Sequence, residues 1–298
     1  MMNGGKAMLE LVNLSKSFGK FKALDDISLK VEKGEVMGFI GPNGAGKSTT
    51  IRLIIGALKA NTGKIIFDGK DIKNDKNYLE KIAYVPGDVN LWNNLTGGEV
   101  INFMMAVKGN KDTERKNDLL KRFKLDPKKK CKNYSKGNRQ KVALISAFLS
   151  DADFYIFDEP TTGLDPLMER EFHKEILTLK SQGKTVLLSS HILSEVEKLV
   201  DSLAIIKDGQ IIETGSFEDL RHITRVEYII RTDDNIDALR HQKFIKEFYN
   251  DHDGYHFLVD NEDIPDFLKY LKIYNLHALE TVPIKLEDIF LKYYQGET

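Results

Sequence analysis

The stretch GPNGAGKST at residues 41–49 constrains the fold more than any other part of the chain. It fits the pattern G-x-x-x-x-G-K-[ST], follows the apolar run EVMGFI (35–40) and precedes a helical pattern that begins at Lys47. In this strand–loop–helix context, backbone N–H groups cradle phosphate, the lysine reaches the β- and γ-phosphates and the serine hydroxyl ligates Mg²⁺. The predicted nucleotide-binding residues are Gly41, Pro42, Asn43, Gly44, Ala45, Gly46, Lys47, Ser48 and Thr49.

Two carboxylates end the apolar segment FYIFDEP at residues 154–160. Parallel sheets bind ligands at the C-terminal ends of their strands, so Asp158 is predicted to hold Mg²⁺ and Glu159 to accept a proton from an attacking water. His191 ends the apolar run VLLSSH and is predicted to sense the γ-phosphate or orient that water. The plainer alternative for DEP is a strand end before a turn, and for His191 it is a structural role. The phosphate loop in the same chain favours the functional interpretation of both.

Apolar segments alternate with helical patterns between residues 35 and 209, which predicts an α/β fold with a parallel sheet. IIKDGQIIETG (205–215) predicts a hairpin that turns at Asp208-Gly209. The other predicted strands lie within 35–40, 64–67, 82–85, 154–160, 185–190 and 203–209. The predicted helices cover 97–107, 114–123, 136–150, 167–182 and 192–200.

A change in charge predicts a second domain. The whole chain has a formal net charge of −1, from 44 Lys+Arg and 45 Asp+Glu, whereas residues 222–298 hold 9 basic and 15 acidic residues. We place the domain boundary between residues 223 and 224, so that the two domains cover 8–223 and 224–298. The second is predicted to be a small α+β domain. Its predicted order is strand 226–232, helix 235–242, a hairpin around DHDG (251–254), helix 263–274, strand 278–282 and helix 286–295.

Composition excludes several classes of protein. Balanced charge argues against nucleic acid as a partner. The single cysteine, Cys131, excludes a disulfide framework and favours a reducing, cytosolic setting. No run of 18 apolar residues is present, so the chain is not expected to cross a membrane by itself. His252 and His256 flank the DG turn, where a metal site is conceivable and a solvated hairpin is the plainer expectation.

The stretch YSKGNRQK at residues 134–141 predicts a helix start capped by Ser135, and hence a second anion site. With the phosphate loop, DEP, GLD (163–165) and SSH (189–191), it resembles the nucleotide-binding subunit of ATP-binding cassette (ABC) transporters over about residues 8–220. The resemblance implies a P-loop NTPase ABC ATPase domain with a helical subdomain at about 88–150, binding ATP and Mg²⁺. A GTPase would carry an N-K-x-D segment, which is absent.

The resemblance also implies a head-to-tail dimer of identical or different ATPase subunits. Ser135 and Gly137 would cap the γ-phosphate held by the other subunit, and Asp165 would link the two sites. Phe18 would stack on adenine; the alternative is a core residue beneath a hairpin.

The chain departs from the family pattern at three positions. Lys136 replaces a glycine, Asn138 replaces a glutamine, and Gly87 replaces the glutamine that senses metal and water. Asp88 is a possible substitute metal ligand.

The chain also resembles the branch of ABC transporters that works with separate exporter-type permeases, often in drug or antibiotic efflux. The features that carry this resemblance are PGD followed by Trp92, the segment NLTG, and a C-terminal domain ending in LEDIFLKYY. This implies a cytoplasmic subunit held at the inner face of the membrane by an integral permease. Trp92 is the candidate permease anchor, and packing within the helical subdomain is its alternative. A soluble ABC ATPase that is not coupled to transport is the alternative function.

Overall fold

The computed structural model describes residues 6–191, 196–216 and 225–282. It divides the chain into two compact units, Met1–Thr214 and Gly215–Thr298. The boundary predicted at residue 223 falls in 217–224, outside the described residues, and stays a prediction. The predicted helix 286–295 and the start of the predicted helix 192–200 also lie outside them.

A six-stranded sheet in the order β10-β9-β3-β8-β7-β6 forms the centre of the first unit. Its strands are β3 (Val36–Ile40), β6 (Ile82–Val85), β7 (Phe154–Asp158), β8 (Thr185–Ser190), β9 (Ser202–Lys207) and β10 (Gln210–Ser216). The pairs among β6, β7, β8, β3 and β9 are parallel, and every residue of β3, β7 and β8 is buried. The predicted parallel sheet and the hairpin turn at Asp208-Gly209 are confirmed.

A second, antiparallel sheet in the order β2-β1-β4-β5 was not expected. Its strands are β1 (Ala7–Phe18), β2 (Phe21–Glu32), β4 (Thr62–Phe67) and β5 (Lys70–Asp71). The assignment of 64–67 to the parallel sheet is therefore wrong: Phe67 pairs with Leu9 of β1, and only part of β4 is buried, as in a strand with one covered face. The rings of Phe67 and Phe154 lie 5.9 Å apart, in a core shared by the two sheets.

Side-chain caps fix the starts of most helices in this unit. The helices are α1 (Lys47–Ile54), α2 (Gly97–Val107), α3 (Thr113–Arg122), α4 (Lys136–Phe148) and α5 (Pro166–Ser181). Thr96 and Glu99 form a reciprocal capping box at α2, and Asp112, Ser135 and Asp165 cap α3, α4 and α5. Among the described residues, no helix combines the length and apolar character needed to cross a bilayer.

The second unit is an antiparallel sheet in the order β12-β13-β11-β14. Its elements are β11 (Arg225–Thr232), β12 (Ile245–Asp251), β13 (Gly254–Asp260), α6 (Ile264–Leu271) and β14 (Leu276–Val282). With a short 3₁₀ helix at Asp237–His241, the order is that of a split βαβ unit, as in ferredoxin-like folds. The α-helix predicted at 235–242 is wrong: Asn235 accepts a bond from the Asp237 N–H, a side-chain bond that competes with helix propagation.

His256 lies buried on β13, between two carboxylates. Its Nδ1 is 2.8 Å from Glu227 Oε1 and its Nε2 is 3.0 Å from Asp251 Oδ1, while the ring stacks on Tyr249 at 4.3 Å. A neutral imidazole donates from one nitrogen only, so two carboxylate acceptors favour the doubly protonated ring. Burial opposes that charge, but both hydrogen bonds outweigh it and raise the pKa of His256. The solvated-hairpin expectation is wrong for His256, whereas His252 is exposed.

Candidate active site

The phosphate loop lies between β3 and α1. Gly46 is the N-cap of α1 and has a left-handed backbone with φ 114°. Lys47, Ser48 and Thr49 form the first turn of α1, where N–H groups have no partner within the helix and attract anions. Of the other predicted loop residues, Gly41 and Ala45 are buried, Pro42 is partly buried, and Asn43 and Gly44 are exposed.

Lys47 is buried and faces the loop and the end of β7. Its Nζ donates to the carbonyls of Gly41 at 2.5 Å and Pro42 at 3.1 Å, and lies 3.5 Å from Glu159 Oε1. Burial lowers the pKa of Lys47, and the nearby charges of Glu159 and Asp158 oppose that shift. The ammonium therefore sits where loop, helix start and carboxylates converge.

Asp158 is buried at the end of β7 and takes a hydrogen bond from the neighbouring strand. Its Oδ1 accepts a 2.6 Å bond from the hydroxyl of Ser189 on β8. The same pairing brings Asp158 opposite Ser189 in the sheet register. Ser189 thus fixes the direction of the carboxylate that is predicted to hold Mg²⁺.

Glu159 follows directly and has an unusual backbone. Its φ of 49° lies in the left-handed region, a strained conformation for a residue with a side chain. Its N–H donates to the carbonyl of Ser189 at 3.1 Å and to the Ser189 hydroxyl at 3.2 Å, and these bonds hold that conformation. Glu159 Oε2 lies 3.0 Å from His191 Nδ1, so the structure brings together Lys47, Glu159 and His191.

The segment at 134–141 begins helix α4 as predicted. Ser135 is its N-cap, and the hydroxyl accepts a 3.3 Å bond from the N–H of Asn138. Ser135 and Lys136 are exposed and Gly137 is partly buried. The prediction that Ser135 caps this helix is confirmed, and the second anion site it would form stays a prediction.

Phe18 and Asp165 lie at the surface of the first unit. Phe18 pairs with Phe21 at the tip of the β1–β2 hairpin and is 48% exposed, with Lys16 Nζ 5.1 Å from the centre of its ring. The alternative of a core residue is therefore wrong, and adenine stacking stays a prediction. The Asp165 carboxylate accepts the N–H groups at the start of α5 at 3.1 Å, and its role at a dimer interface stays a prediction.

The position of Gly87 gives a physical reason for the departure from the family pattern. A Cβ at this residue would lie 3.0 Å from the carbonyl oxygen of Asp158 and 3.8 Å from the Cβ of Glu159. The backbone after β6 thus packs so closely against the end of β7 that a side chain at position 87 would need the Asp158 carbonyl to shift by a few tenths of an ångström. Asp88 next to it is exposed and accepts a 3.5 Å bond from Asn90, and its role in a metal shell stays a prediction.

Two residues at this site escaped the sequence analysis. Ser189 bonds the carboxylate of Asp158 and the backbone N–H of Glu159, and Gln140, buried in α4, donates from Nε2 to the carbonyl of Pro160 at 3.1 Å. The only signal for Ser189 is a polar pair at the end of an apolar strand. The signal for Gln140 is a polar residue on the apolar face of α4.

Comparison with known proteins places the cassette region in a family. A family model described as "ABC transporter" matches residues 24–162. The ABC transporter ATP-binding protein NatA of Bacillus subtilis is 38% identical over 231 residues, covering 74% of this chain and 94% of NatA. The bacitracin transport ATP-binding protein BcrA of Bacillus licheniformis is 31% identical over 303 residues, covering 98% of each chain.

Solved structures show the same fold. An ATP-binding subunit of an ABC transporter matches with a TM-score of 0.67 and 34% identity, covering 72% of this chain and 92% of that chain. The ATP-binding cassette MJ0796, in a dimeric post-hydrolysis state bound to ADP and Pi, matches with a TM-score of 0.63 and 25% identity, covering 70% and 98%. The P-loop NTPase fold of an ABC ATPase, which the resemblance implies, is confirmed.

Proposed function

Because the chain belongs to the family of ABC transporter ATP-binding proteins, we propose that it powers export through a separate membrane permease. The prediction of an ATP-binding and ATP-hydrolysing cassette is confirmed by this membership. Two of its relatives are named as transport ATP-binding proteins, which argues against the alternative of a soluble ATPase that is not coupled to transport.

The junction of Lys47, Glu159 and His191 is the observation that carries the catalytic proposal. Glu159 has one carboxylate oxygen toward Lys47 at 3.5 Å and the other toward His191 at 3.0 Å. Glu159 accepts a proton from the water that attacks the γ-phosphate, and His191 fixes the direction of the carboxylate through Nδ1. Such a base at a strand end, beside a helix start, suits in-line phosphoryl transfer to water.

Lys47 and the start of α1 bind the triphosphate, and the end of β7 lies beside them. Phosphate oxygens are stronger partners for an ammonium than neutral carbonyls, so Lys47 turns from Gly41 and Pro42 to the β- and γ-phosphates. The Ser48 hydroxyl and the Asp158 carboxylate are hard oxygen ligands and fit Mg²⁺, with Asp158 held in place by Ser189. When bound, the ion would supply charge neutralisation at the phosphates.

Two such subunits act as a head-to-tail dimer, of identical or different chains. The start of α4, with Ser135 exposed and Gly137 partly buried, caps the γ-phosphate bound by the other subunit, and Phe18 stacks on the adenine of its own subunit. The support is the exposed, capped helix start and the 48% exposure of Phe18. The dimeric state of the related cassette MJ0796 also supports this arrangement.

A groove between β6, α2 and α4 receives the permease. It encloses about 250 Å³ and is lined by apolar side chains that include Val89, Leu91 and Met104. At its rim Trp92 and Phe103 meet edge-to-face at 5.6 Å and are 54% and 51% exposed. Large aromatics that remain half exposed are frequent anchors at protein interfaces. Docking there would hold the subunit at the cytoplasmic face of the membrane.

A pull-down from detergent-solubilised native membranes, with and without Mg-ATP, tests the coupling to a permease. We expect a polytopic membrane protein to be captured in stoichiometric amounts. Trp92→Ala should weaken that capture while leaving ATP hydrolysis of the isolated subunit unchanged. Leu177→Ala, which alters an exposed apolar residue on α5, is the matched control. Capture of soluble partners only, in repeated preparations, would refute the transporter proposal while leaving the ATPase activity intact.

A further inference from the structure

Gln140 joins the start of α4 to the catalytic strand end within one chain. Its side chain is buried, with 1% exposed, and its Nε2 donates to the Pro160 carbonyl at 3.1 Å. Pro160 follows Glu159 directly in the chain. A buried amide with this single described partner is costly to leave unpaired, so the bond constrains both segments.

A second contact joins the same two segments about one turn closer to the start of α4. Gly137 lies against the backbone carbonyl of Gly163 so closely that a Cβ on Gly137 would come far inside 3.0 Å. The segment from Pro160 to Gly163 is therefore held to the first turns of α4 at both of its ends. A shift of the helix start displaces this segment as well, because neither contact leaves free space.

Glu159 is the residue on which such a displacement acts. Its left-handed backbone is held from one side by Ser189. On the other side the chain continues into Pro160, whose carbonyl is bound by Gln140. A small rotation at a strained residue redirects its side chain, and the carboxylate of Glu159 must reach one particular water.

We propose that Gln140 is a positioning residue that reports the partner's ATP, bound at Ser135, to Glu159 of the same chain. This inference rests on the proposed dimer, in which the exposed start of α4 meets the other subunit's nucleotide. ATP bound by one subunit then aligns the general base of the other, and the two composite sites are coupled. Coupling between two ligand sites typically changes the affinity at one site by about 5- to 150-fold when the other site is occupied.

Gln140→Met tests the role, since methionine keeps length and volume but removes the donor. We expect kcat to fall by roughly tenfold and the Hill coefficient for ATP to fall toward one, with ATP affinity within about twofold of wild type. Gln182→Met, at an exposed glutamine after α5, is the matched control and should change none of these. A variant with wild-type kcat and Hill coefficient would overturn the proposal.

Mixed dimers, purified through two different tags, separate a purely structural effect from coupling within one chain. Each dimer keeps a single intact Glu159. When Gln140→Met and Glu159→Gln are on the same chain, opposite a wild-type chain, activity should equal that of a Glu159→Gln/wild-type dimer. When they are on opposite chains, activity should be about tenfold lower.

Equal activity in the two arrangements would overturn coupling within the chain. A loss of activity that follows a loss of thermal stability would assign Gln140 a structural role only. Absence of ATP hydrolysis in the wild-type protein would instead count against the proposed function, so the two failures are distinguishable.

Discussion

Substituting Gly137 by alanine should separate the stability of the cassette from its activity. Gly137 is in the first turn of α4, and an added Cβ would clash with the backbone carbonyl of Gly163. The atom that the Cβ meets belongs to the backbone, so no flexible side chain can move away. Either the start of α4 or the 160–165 segment must shift.

Two opposing effects set the change in the free energy of unfolding. Alanine is favoured over glycine in a helix by about 1 kcal/mol, and overpacking of this kind costs about 1–3 kcal/mol. The net destabilisation is therefore about 0–2 kcal/mol, which lowers the melting temperature by at most about 8 °C in a unit of this size. The catalytic effect is larger, because a displacement of roughly 1 Å at a reacting group costs about 10²-fold in rate.

The assay compares steady-state ATP hydrolysis and thermal unfolding of Gly137→Ala with those of Gly69→Ala. Gly69 has φ 78° in the turn between β4 and β5, and a Cβ there would meet nothing within 4 Å. Alanine at that φ costs about 1–2 kcal/mol, so the control loses similar stability without moving the site. The reasoning is refuted if Gly137→Ala hydrolyses ATP at the wild-type rate, or if both variants lose activity equally.

Glu159→Gln should lower kcat by about 10²- to 10⁴-fold and retain ATP binding, measured by turnover and nucleotide titration; near-normal turnover would remove Glu159 from the base role. His256 has a raised pKa, so its stabilisation of the second unit is complete below about pH 6.5 and is lost as pH rises through the folded pKa. Hydrogen exchange of the β13 amides, corrected for intrinsic rates, should show this loss in wild type but not in His256→Asn. The buried carboxylate of Glu175 binds Arg115 and Arg122 of α3, and Glu175→Gln should destabilise the chain by about 1–3 kcal/mol, because the charge-assisted bonds to both arginines are lost. The partly exposed arginines regain water, which keeps the loss within this range. An unchanged melting temperature in that variant would contradict the role of this network.

Elements dominated by local signals were predictable from the sequence. The β3–loop–α1 unit has a motif with fixed spacing, and β7 and β8 contain short apolar runs whose length and position between helical patterns favour buried strands. The β1–β2 sheet was missed because its register shifts several times between Ala7 and Phe18, which breaks the apolar alternation. For β4 the strand was recognised, but its partner depends on contacts distant in sequence.

The site shows the same division between local and distant information. Lys47, Asp158 and Glu159 belong to motifs whose chemistry defines them. Ser189 and Gln140 act through bonds to residues 31 and 20 positions away, and no local pattern marks a polar residue as the partner of a distant backbone. The strained φ of Glu159 is likewise a product of these bonds.

The geometry around Glu159 also accounts for the glycine at position 87. Three elements converge on this strand end: β8 through Ser189, α4 through Gln140, and the segment after β6 through the backbone of Gly87. A long side chain at position 87 needs room beside the Asp158 carbonyl, where a Cβ alone would lie 3.0 Å away. Close backbone packing at Gly87 therefore connects the proposed permease groove, which begins at β6, to the strand end that holds Asp158 and Glu159. A backbone link of this kind offers no metal ligand, so we predict that a permease docked in the proposed groove acts on hydrolysis by displacing Glu159.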